Sequence, residues 1–180
     1  EQNSVVGKVN KSFIRFSNKI FFNFDKENLN IQKYKNKISV VGLPQNNKIK
    51  NLSNKDNQNR SKFNFLVFAG SQGSVDILVI FKKLIKKLGT ISNLEEIYFT
   101  IQAPLNKHEE IENLLINNGY NYKIQNFFNN FDSILKQTDI ALCRSGAGTI
   151  NDLINYKIPS IICPLPSAKD NHQYENAKML

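Results

Sequence analysis

The sequence predicts an α/β protein built on a doubly wound parallel sheet of the Rossmann type. Apolar runs of strand length alternate five times with amphipathic stretches of helix length between Phe63 and Leu180, the signature of parallel βαβ units. Small-residue turns rich in glycine follow two of the strand-like runs, at Gly70–Gly73 and Ser145–Gly148. Hydrophobic residues make up 41% of a 180-residue chain, enough to bury one full domain and part of another.

The first 45 residues stand apart from that pattern. They offer a helix around Lys11–Ser17 and two short apolar runs, Ile20–Phe24 and Ile38–Val41, the second leading into Gly42-Leu43-Pro44. From Gln45 to Lys62 nearly every residue is Asn, Lys, Ser, Asp or Gln without periodicity, which reads as a solvated linker. The expected division is residues 1–45, a polar linker over 46–62, and a domain over 63–180.

Within that domain, Phe63–Ala69 is an apolar run, Asn64 apart, closed by Gly70-Ser71-Gln72-Gly73. Ser74–Leu88 places Ile77, Leu78, Phe81, Leu84, Ile85 and Leu88 on one helical face, with Gly89 as a stop. Glu96–Ile101 alternates as a strand does. Asn106 and Glu109 have the spacing of a capping box for a helix carrying Ile111, Leu114 and Leu115, which Gly119 ends. Tyr120–Ile124 alternates again, and a short helix over Ser133–Gln137 leads to a strand at Ile140–Cys143. A helix over Thr149–Tyr156 precedes a strand at Ser160–Cys163, and a last helix starts near His172.

The formal net charge of +9 points toward an anionic partner. Of the 24 basic residues 21 are Lys, scattered rather than striped and accompanied by many Asn, Ile and Phe, the mixture that codon bias in an AT-rich genome produces. No segment reaches the ~18 apolar residues of a membrane-spanning helix, and no signal-peptide pattern is present. Peripheral contact with an anionic membrane surface stays open. Cys143 and Cys163 lie in apolar stretches without a second Cys or His at ligand spacing, so they read as buried reduced thiols. Starting at Glu1 without Met and stopping inside an amphipathic pattern, the sequence reads as a piece of a longer chain.

In doubly wound sheets ligands bind beyond the carboxyl ends of the strands, so the turns there carry the functional argument. Gly70-Ser71-Gln72-Gly73 lets backbone approach a ligand and opens a helix whose N–H groups and dipole favour an anion; a tight strand-to-helix turn requires glycine on its own account too. Arg144-Ser145-Gly146-Ala147-Gly148-Thr149 repeats the arrangement and adds Asp152 one turn on. A carboxylate beside a nucleotide phosphate site accepts from ribose hydroxyls, although the helix dipole also favours an acid there. The third turn, Pro164 to Gln173, carries Asp170-Asn171-His172-Gln173; either of the first two could cap the last helix, and His172 and Gln173 are not explained by capping. His108 reads as solvated surface. No Ser/His/Asp or Cys/His order suggests a covalent nucleophile, and no acidic pair suggests glycoside hydrolysis.

At these turns the chain resembles the MurG family of N-acetylglucosamine transferases, which convert lipid I to lipid II. Glu1-Gln2-Asn3 matches the family's His-Glu-Gln-Asn motif without its His, and Gly42-Leu43-Pro44 stands where the family has Gly-Asn-Pro. GSQG, CRSGA-x-T and DNHQ-x-x-NA follow in the family's order and spacing, and together they are highly specific. The resemblance implies a two-domain fold of the GT-B type, with residues 1–45 as the tail of an acceptor domain and the rest as most of the UDP-sugar domain. It implies that Asn3 reaches the donor from the acceptor side, that Ser71 binds the diphosphate, and that the backbone of Phe128 faces the uracil. Ala147, Gly148 and Thr149 would line the phosphate and sugar turn, Asp152 would hold the ribose, and His172 and Gln173 would contact the sugar. Two positions depart from the family: Asp152 replaces the usual Glu, and Asn46 stands where an Arg is usual, so Asn46 receives no role.

The implied reaction is inverting transfer of N-acetylglucosamine from UDP-N-acetylglucosamine to lipid I in peptidoglycan synthesis, a process tied to cell shape and division. No cofactor is expected, and the absence of an Asp-x-Asp motif agrees with charge stabilisation by helix N-termini rather than by a metal. The general base has no candidate here and is expected in the part of the family that precedes Glu1. Expected partners are UDP-N-acetylglucosamine, lipid I and an anionic membrane, with no nucleic acid; the expected location is the cytoplasmic side of the inner membrane, peripherally. Two other readings compete. One is a non-catalytic nucleotide-sugar-binding subunit, against which the segment Glu1–Pro44 argues; the other is a basic module for nucleic acid or membrane, suggested by charge alone.

Overall fold

The computed structural model describes residues 1–25, 32–44, 62–69, 75–89 and 96–180. The expected linker over 46–62 lies outside the described residues but for Lys62, and so does the whole Gly70–Gly73 turn with Ser71.

Near its amino terminus the chain forms helix α1 (Lys8–Phe13), a 3-10 turn over Ile14–Phe16 and strand β1 (Ile20–Phe22); after a second 3-10 segment, Gln32–Lys37, comes β2 (Ile38–Val40). The helix therefore begins three residues earlier than the sequence pattern suggests, and Gln32–Lys37 has no apolar period that would announce it. β1 and β2 pair in parallel, Ile20 opposite Ile38 and Phe22 opposite Val40.

The larger sheet holds β3 (Phe63–Phe68), β4 (Ile97–Gln102), β5 (Asn121–Gln125), β6 (Ile140–Cys143) and β7 (Ser160–Ile162) in the order β5-β4-β3-β6-β7. Every pairing is parallel. Between the strands run α2 (Val75–Leu88), α3 (His108–Asn117), α4 (Phe131–Gln137) and α5 (Ala147–Tyr156), and α6 (His172–Ala177) follows β7. The doubly wound sheet expected from the alternation is the observed fold.

The period of two along β3 builds both layers of core. Phe65 and Val67 pack with Phe99, Ile101, Ile77, Phe81, Ile85, Ile111 and Leu115 under α2 and α3. Leu66 and Phe68 point the other way, onto Leu135, Cys143, Leu153 and Tyr156 under α4 and α5. A strand buried on both faces must read as an unbroken apolar run, which is what Phe65–Ala69 does; Asn64 breaks the run at the start of the strand, beside the exposed Phe63. Phe99 is the aromatic centre, with the rings of Phe65, Phe81 and Tyr120 at 5.4, 5.3 and 5.1 Å.

Helix ends follow local chemistry with two departures. Gly119 closes α3 at φ +73°, and the Tyr120 N–H returns to the Leu115 carbonyl at 3.0 Å. The Asn106–Glu109 box does not form: Pro104 launches a 3-10 turn over Leu105–Lys107, which puts Asn106 inside the turn. There His108 Nε2 donates to the Ala103 carbonyl at 2.9 Å, so this histidine pins a loop rather than facing only solvent. At α6, Asp170 and Asn171 are both left-handed (φ 54° and 53°), and neither side chain caps the helix.

α5 ends on Lys157 in the left-handed region at φ 51°, ψ 48°, with Ile158 N–H returning to Leu153 at 3.0 Å. This closure normally uses glycine, because a Cβ there crowds the following carbonyl. Lys157→Gly should therefore stabilise the fold by about 0.5–1 kcal/mol, read as a higher urea midpoint at unchanged slope. A lower midpoint would show that the lysine side chain contributes contacts outweighing the strain.

Candidate functional site

The order of the sheet reverses between β3 and β6, and beyond their carboxyl ends lies a cavity of about 390 Å³, inside the range usual for small-molecule sites (about 300–1,000 Å³). It is lined by Phe68 at the end of β3, Gln102 at the end of β4, Phe127, Phe128 and Phe131, and by Gly146, Gly148, Thr149 and Asp152.

One wall is the start of α5. Gly146 is extended (φ −60°, ψ 149°), and the first intrahelical bond runs from Ile150 N–H to the Gly146 carbonyl. The N–H groups of Ala147, Gly148 and Thr149 thus have no intrahelical partner and stand at the positive end of the helix dipole. Small residues are needed because backbone itself is the lining. The opposite wall is aromatic. Phe131 meets Phe68 edge-on at 5.1 Å and stacks with Phe128 at 6.2 Å and 15°, while the Phe127 ring is exposed at the rim. Gln102 Nε2 donates to the Asn126 carbonyl at 3.3 Å and thereby ties the loop bearing these rings to the end of β4.

Asp152 is the one ionisable group among the described residues of this lining. Burial, and then the neighbouring Asp132 carboxylate, push its pKa up from 3.8 to about 6. Asp132 itself accepts a hydrogen bond from the Tyr156 hydroxyl, and Tyr156 is pushed up to about 12, mainly by burial. Among the described residues no cation offsets the strain on Asp152, a pattern expected where a carboxylate is kept for a ligand.

A second framework holds the loops beneath this cavity. Arg144 is buried, and its Nη1 donates to the carbonyls of Cys163 and Pro164 at 2.8 and 3.2 Å, while Nη2 reaches Asp76 on the first turn of α2 at 3.4 Å. One side chain therefore joins the β6–α5 turn, the loop after β7 and the start of α2. The two cysteines lie side by side, Cys163 N–H donating to the Cys143 carbonyl at 2.9 Å. Burial pushes the Cys143 thiol up to about 12 and raises that of Cys163 as well, which disfavours the thiolate at both. Among the described residues no cluster of His, Cys, Asp or Glu is arranged to hold a metal.

The residues singled out in the sequence separate into groups. Phe128, Gly148, Thr149 and Asp152 share the large cavity; the Ala147 side chain turns away into a small core with Phe24 and Ile150, leaving its backbone at the turn. Asn3 and His172 line a separate cleft of about 190 Å³ with Lys8, Lys169 and Asp170. His172 Nδ1 donates to the Lys169 carbonyl at 2.7 Å. Gln173 Oε1 accepts from Leu165 N–H at 2.9 Å and holds the loop after β7, a use that the sequence does not signal. Ser71 falls outside the described residues. Gln102, Phe127 and Phe131 were not singled out; a polar residue ending a buried strand and a Phe-Phe pair in a loop are the signals that would have drawn attention to the first two.

Residues 64–180 match the family model described as "Glycosyltransferase family 28 C-terminal domain". Among curated proteins the chain is similar to the UDP-N-acetylglucosamine–N-acetylmuramyl-(pentapeptide) pyrophosphoryl-undecaprenol N-acetylglucosamine transferases of Rickettsia bellii (strain RML369-C) and Rickettsia canadensis (strain McKiel), each 36% identical. Both comparisons cover 100% of this chain and 51% of the relative; the chain spans about half the length of the curated relatives it matches. Among solved structures it resembles Acinetobacter baumannii MurG (TM-score 0.76, 23% identity, 99% of this chain and 48% of that one). It also resembles a glycotransferase of kitacinnamycin (TM-score 0.59, 12% identity, 92% and 41%). At those identities the structural likeness speaks for the fold.

Because the native pKa of Asp152 lies above the ordinary value, ionising it costs the folded state. The penalty is absent below about pH 4, grows up to about pH 6 and is complete above that. Asp152→Asn should therefore be more stable than the parent at pH 7.5 by on the order of 1–2 kcal/mol, and this advantage should vanish near pH 4. Thermal melts across that range are the check; an advantage independent of pH would mean that ionisation is not its source.

Proposed function

The chain belongs to glycosyltransferase family 28, and on that footing we propose that it is the donor-binding half of an inverting transferase that moves N-acetylglucosamine from UDP-N-acetylglucosamine to lipid I. The observation that carries this reading is the single cavity that joins the α5 N-terminus, the Asp152 carboxylate and an aromatic wall. These are the groups a uridine diphosphate needs: N–H donors and a positive dipole end for phosphate, an acceptor for ribose hydroxyls, and flat apolar surface for the base.

Attack by an acceptor hydroxyl on the anomeric carbon breaks the bond to the diphosphate and leaves negative charge on the UDP oxygen. The N–H groups at Ala147–Thr149 are fixed before the reaction begins and face the end of the cavity where that charge appears, so they stabilise it without reorganising. Asp152 as carboxylate takes two ribose hydroxyls, one methylene shorter than the Glu of the resembled family. Asn3 and His172, in the neighbouring cleft, stand toward the sugar side. The acceptor hydroxyl also needs a general base to take its proton.

We further propose that the chain meets an anionic membrane on the cytoplasmic face rather than a nucleic acid. Val9, Phe13 and Phe16 are exposed at a spacing of four and three residues, alongside Lys8, Lys11 and Arg15, and the Arg15 guanidinium lies 4.5 Å from the Phe16 ring centre. An apolar stripe bordered by cations suits a lipid interface.

Calorimetry tests the donor reading. UDP should bind, and Asp152→Ala should weaken it tenfold to a hundredfold, since hydrogen bonds to a charged acceptor contribute about 1.5–3 kcal/mol. Uridine, which does not titrate in this range, should bind about fivefold to tenfold more weakly at pH 5 than at pH 7.5 as Asp152 takes up its proton; an unchanged affinity for both ligands in the alanine variant would remove Asp152 from the ribose. For the membrane, sedimentation with anionic phospholipid vesicles should be seen at low salt and lost at high salt, with neutral vesicles and RNA left unbound. Tight RNA binding without vesicle binding would reverse that assignment.

A further inference from the structure

Asn176 on α6 has no solvent exposure, and its amide reaches parts of the chain far apart in sequence. Oδ1 accepts from the Ser4 N–H at 2.7 Å, and Nδ2 donates to Asn3 Oδ1 at 3.1 Å and to the Ser145 carbonyl at 3.0 Å. Both amide protons and one carbonyl lone pair are thus engaged. A buried amide is costly unless satisfied, so this side chain holds its partners as much as they hold it.

The Ser145 carbonyl shares a peptide plane with the Gly146 N–H. In a trans peptide the two point in opposite directions, so a bond that fixes the carbonyl also fixes the direction of the N–H on the far side. Gly146 lines the large cavity immediately before the first turn of α5. The other arm is braced independently. The Glu1 carboxylate accepts from the N–H groups of Asn3 and Gly7 at 3.1 and 2.7 Å and from Asn10 Nδ2 at 2.9 Å, which holds the loop that presents Asn3 and Ser4.

We infer that Asn176 is a positioning residue for the phosphate end of the cavity: its side chain aims the Gly146 N–H at the bound diphosphate and fixes the Asn3–Ser4 segment to the same turn. This rests on the reading of the cavity as a uridine-diphosphate site. The residue touches no ligand itself; it acts through the peptide plane at Ser145–Gly146. Its contribution falls on the diphosphate and not on the nucleoside, because Asp152 and the aromatic wall are reached without it. That division separates it from a residue that only supports the fold, whose loss would weaken both ligands alike.

The test compares UDP with uridine on the 180-residue chain. Asn176→Asp keeps the acceptor for Ser4 N–H but turns two donors into a carboxylate facing two oxygens. It should weaken UDP about tenfold, the scale of one hydrogen bond to a charged group, and leave uridine within twofold, with the Ser4 amide still protected from exchange. Asn176→Ala should show the same ligand split and lose the Ser4 protection too. In the unaltered chain the Gly146 amide resonance should move on adding UDP and stay in place with uridine, a measurement that needs no variant to fold. An unmoved Gly146 resonance, or equal losses for UDP and uridine in a folded variant, would overturn the inference alone. Failure of the unaltered chain to bind either ligand would instead bring down the nucleotide reading on which it rests.

Discussion

β3 is hydrogen-bonded to β4 along one edge and to β6 along the other, and the rest of the site depends on that double pairing. Parallel strands must be joined by crossovers of one hand. The connections that build outward from β3 toward β4 and β5 therefore lay α2 and α3 on one face, and those toward β6 and β7 lay α4 and α5 on the other. Where the two directions part, a crevice remains beyond the strand ends. The cavity forms there because the winding leaves the space open and the first turn of α5 borders it with backbone.

A crevice lined by backbone must be held open by something other than its lining. Loops carry polar groups that cannot be buried unpaired, and here two side chains supply the missing partners. Arg144 collects carbonyls from the loop after β7 and an acid from α2; Asn176 collects the carbonyl before α5 and the segment at Asn3–Ser4. Arg144 opens a stretch that reads as a ligand turn and Asn176 lies in the helix that follows one, yet both point inward and act on other loops. The ligand-facing groups are short or backbone, and the reach comes from long or buried amide and guanidinium side chains behind them.

Asp152 shows the opposite economy. It is half-buried and faces another carboxylate, and among the described residues it has no cation to settle against. A residue arranged this way lowers the stability of the empty protein and becomes favourable only when hydroxyl donors arrive. The aromatic wall lowers the local polarity that makes both effects larger.

Much of this was legible in the sequence, for a physical reason. Periodicity records which side of an element is buried, so the runs at Phe63–Ala69 and Ile140–Cys143 read as strands, and Ser74–Leu88 as a helix with one apolar stripe. Turn composition records where backbone must approach a ligand, which singled out Ser145–Thr149, with Asp152 one turn further on. Periodicity does not say which distant segment meets a given face. Only the tertiary structure could place Asn176 against Asn3 and Ser145, put Gln102 and Phe131 on the same cavity, separate Asn3 and His172 into their own cleft, and employ Gln173 and His108 in holding loops. Each of those outcomes depends on hydrogen bonds or packing between elements brought together by the winding of the sheet, and a local pattern carries no record of its partner.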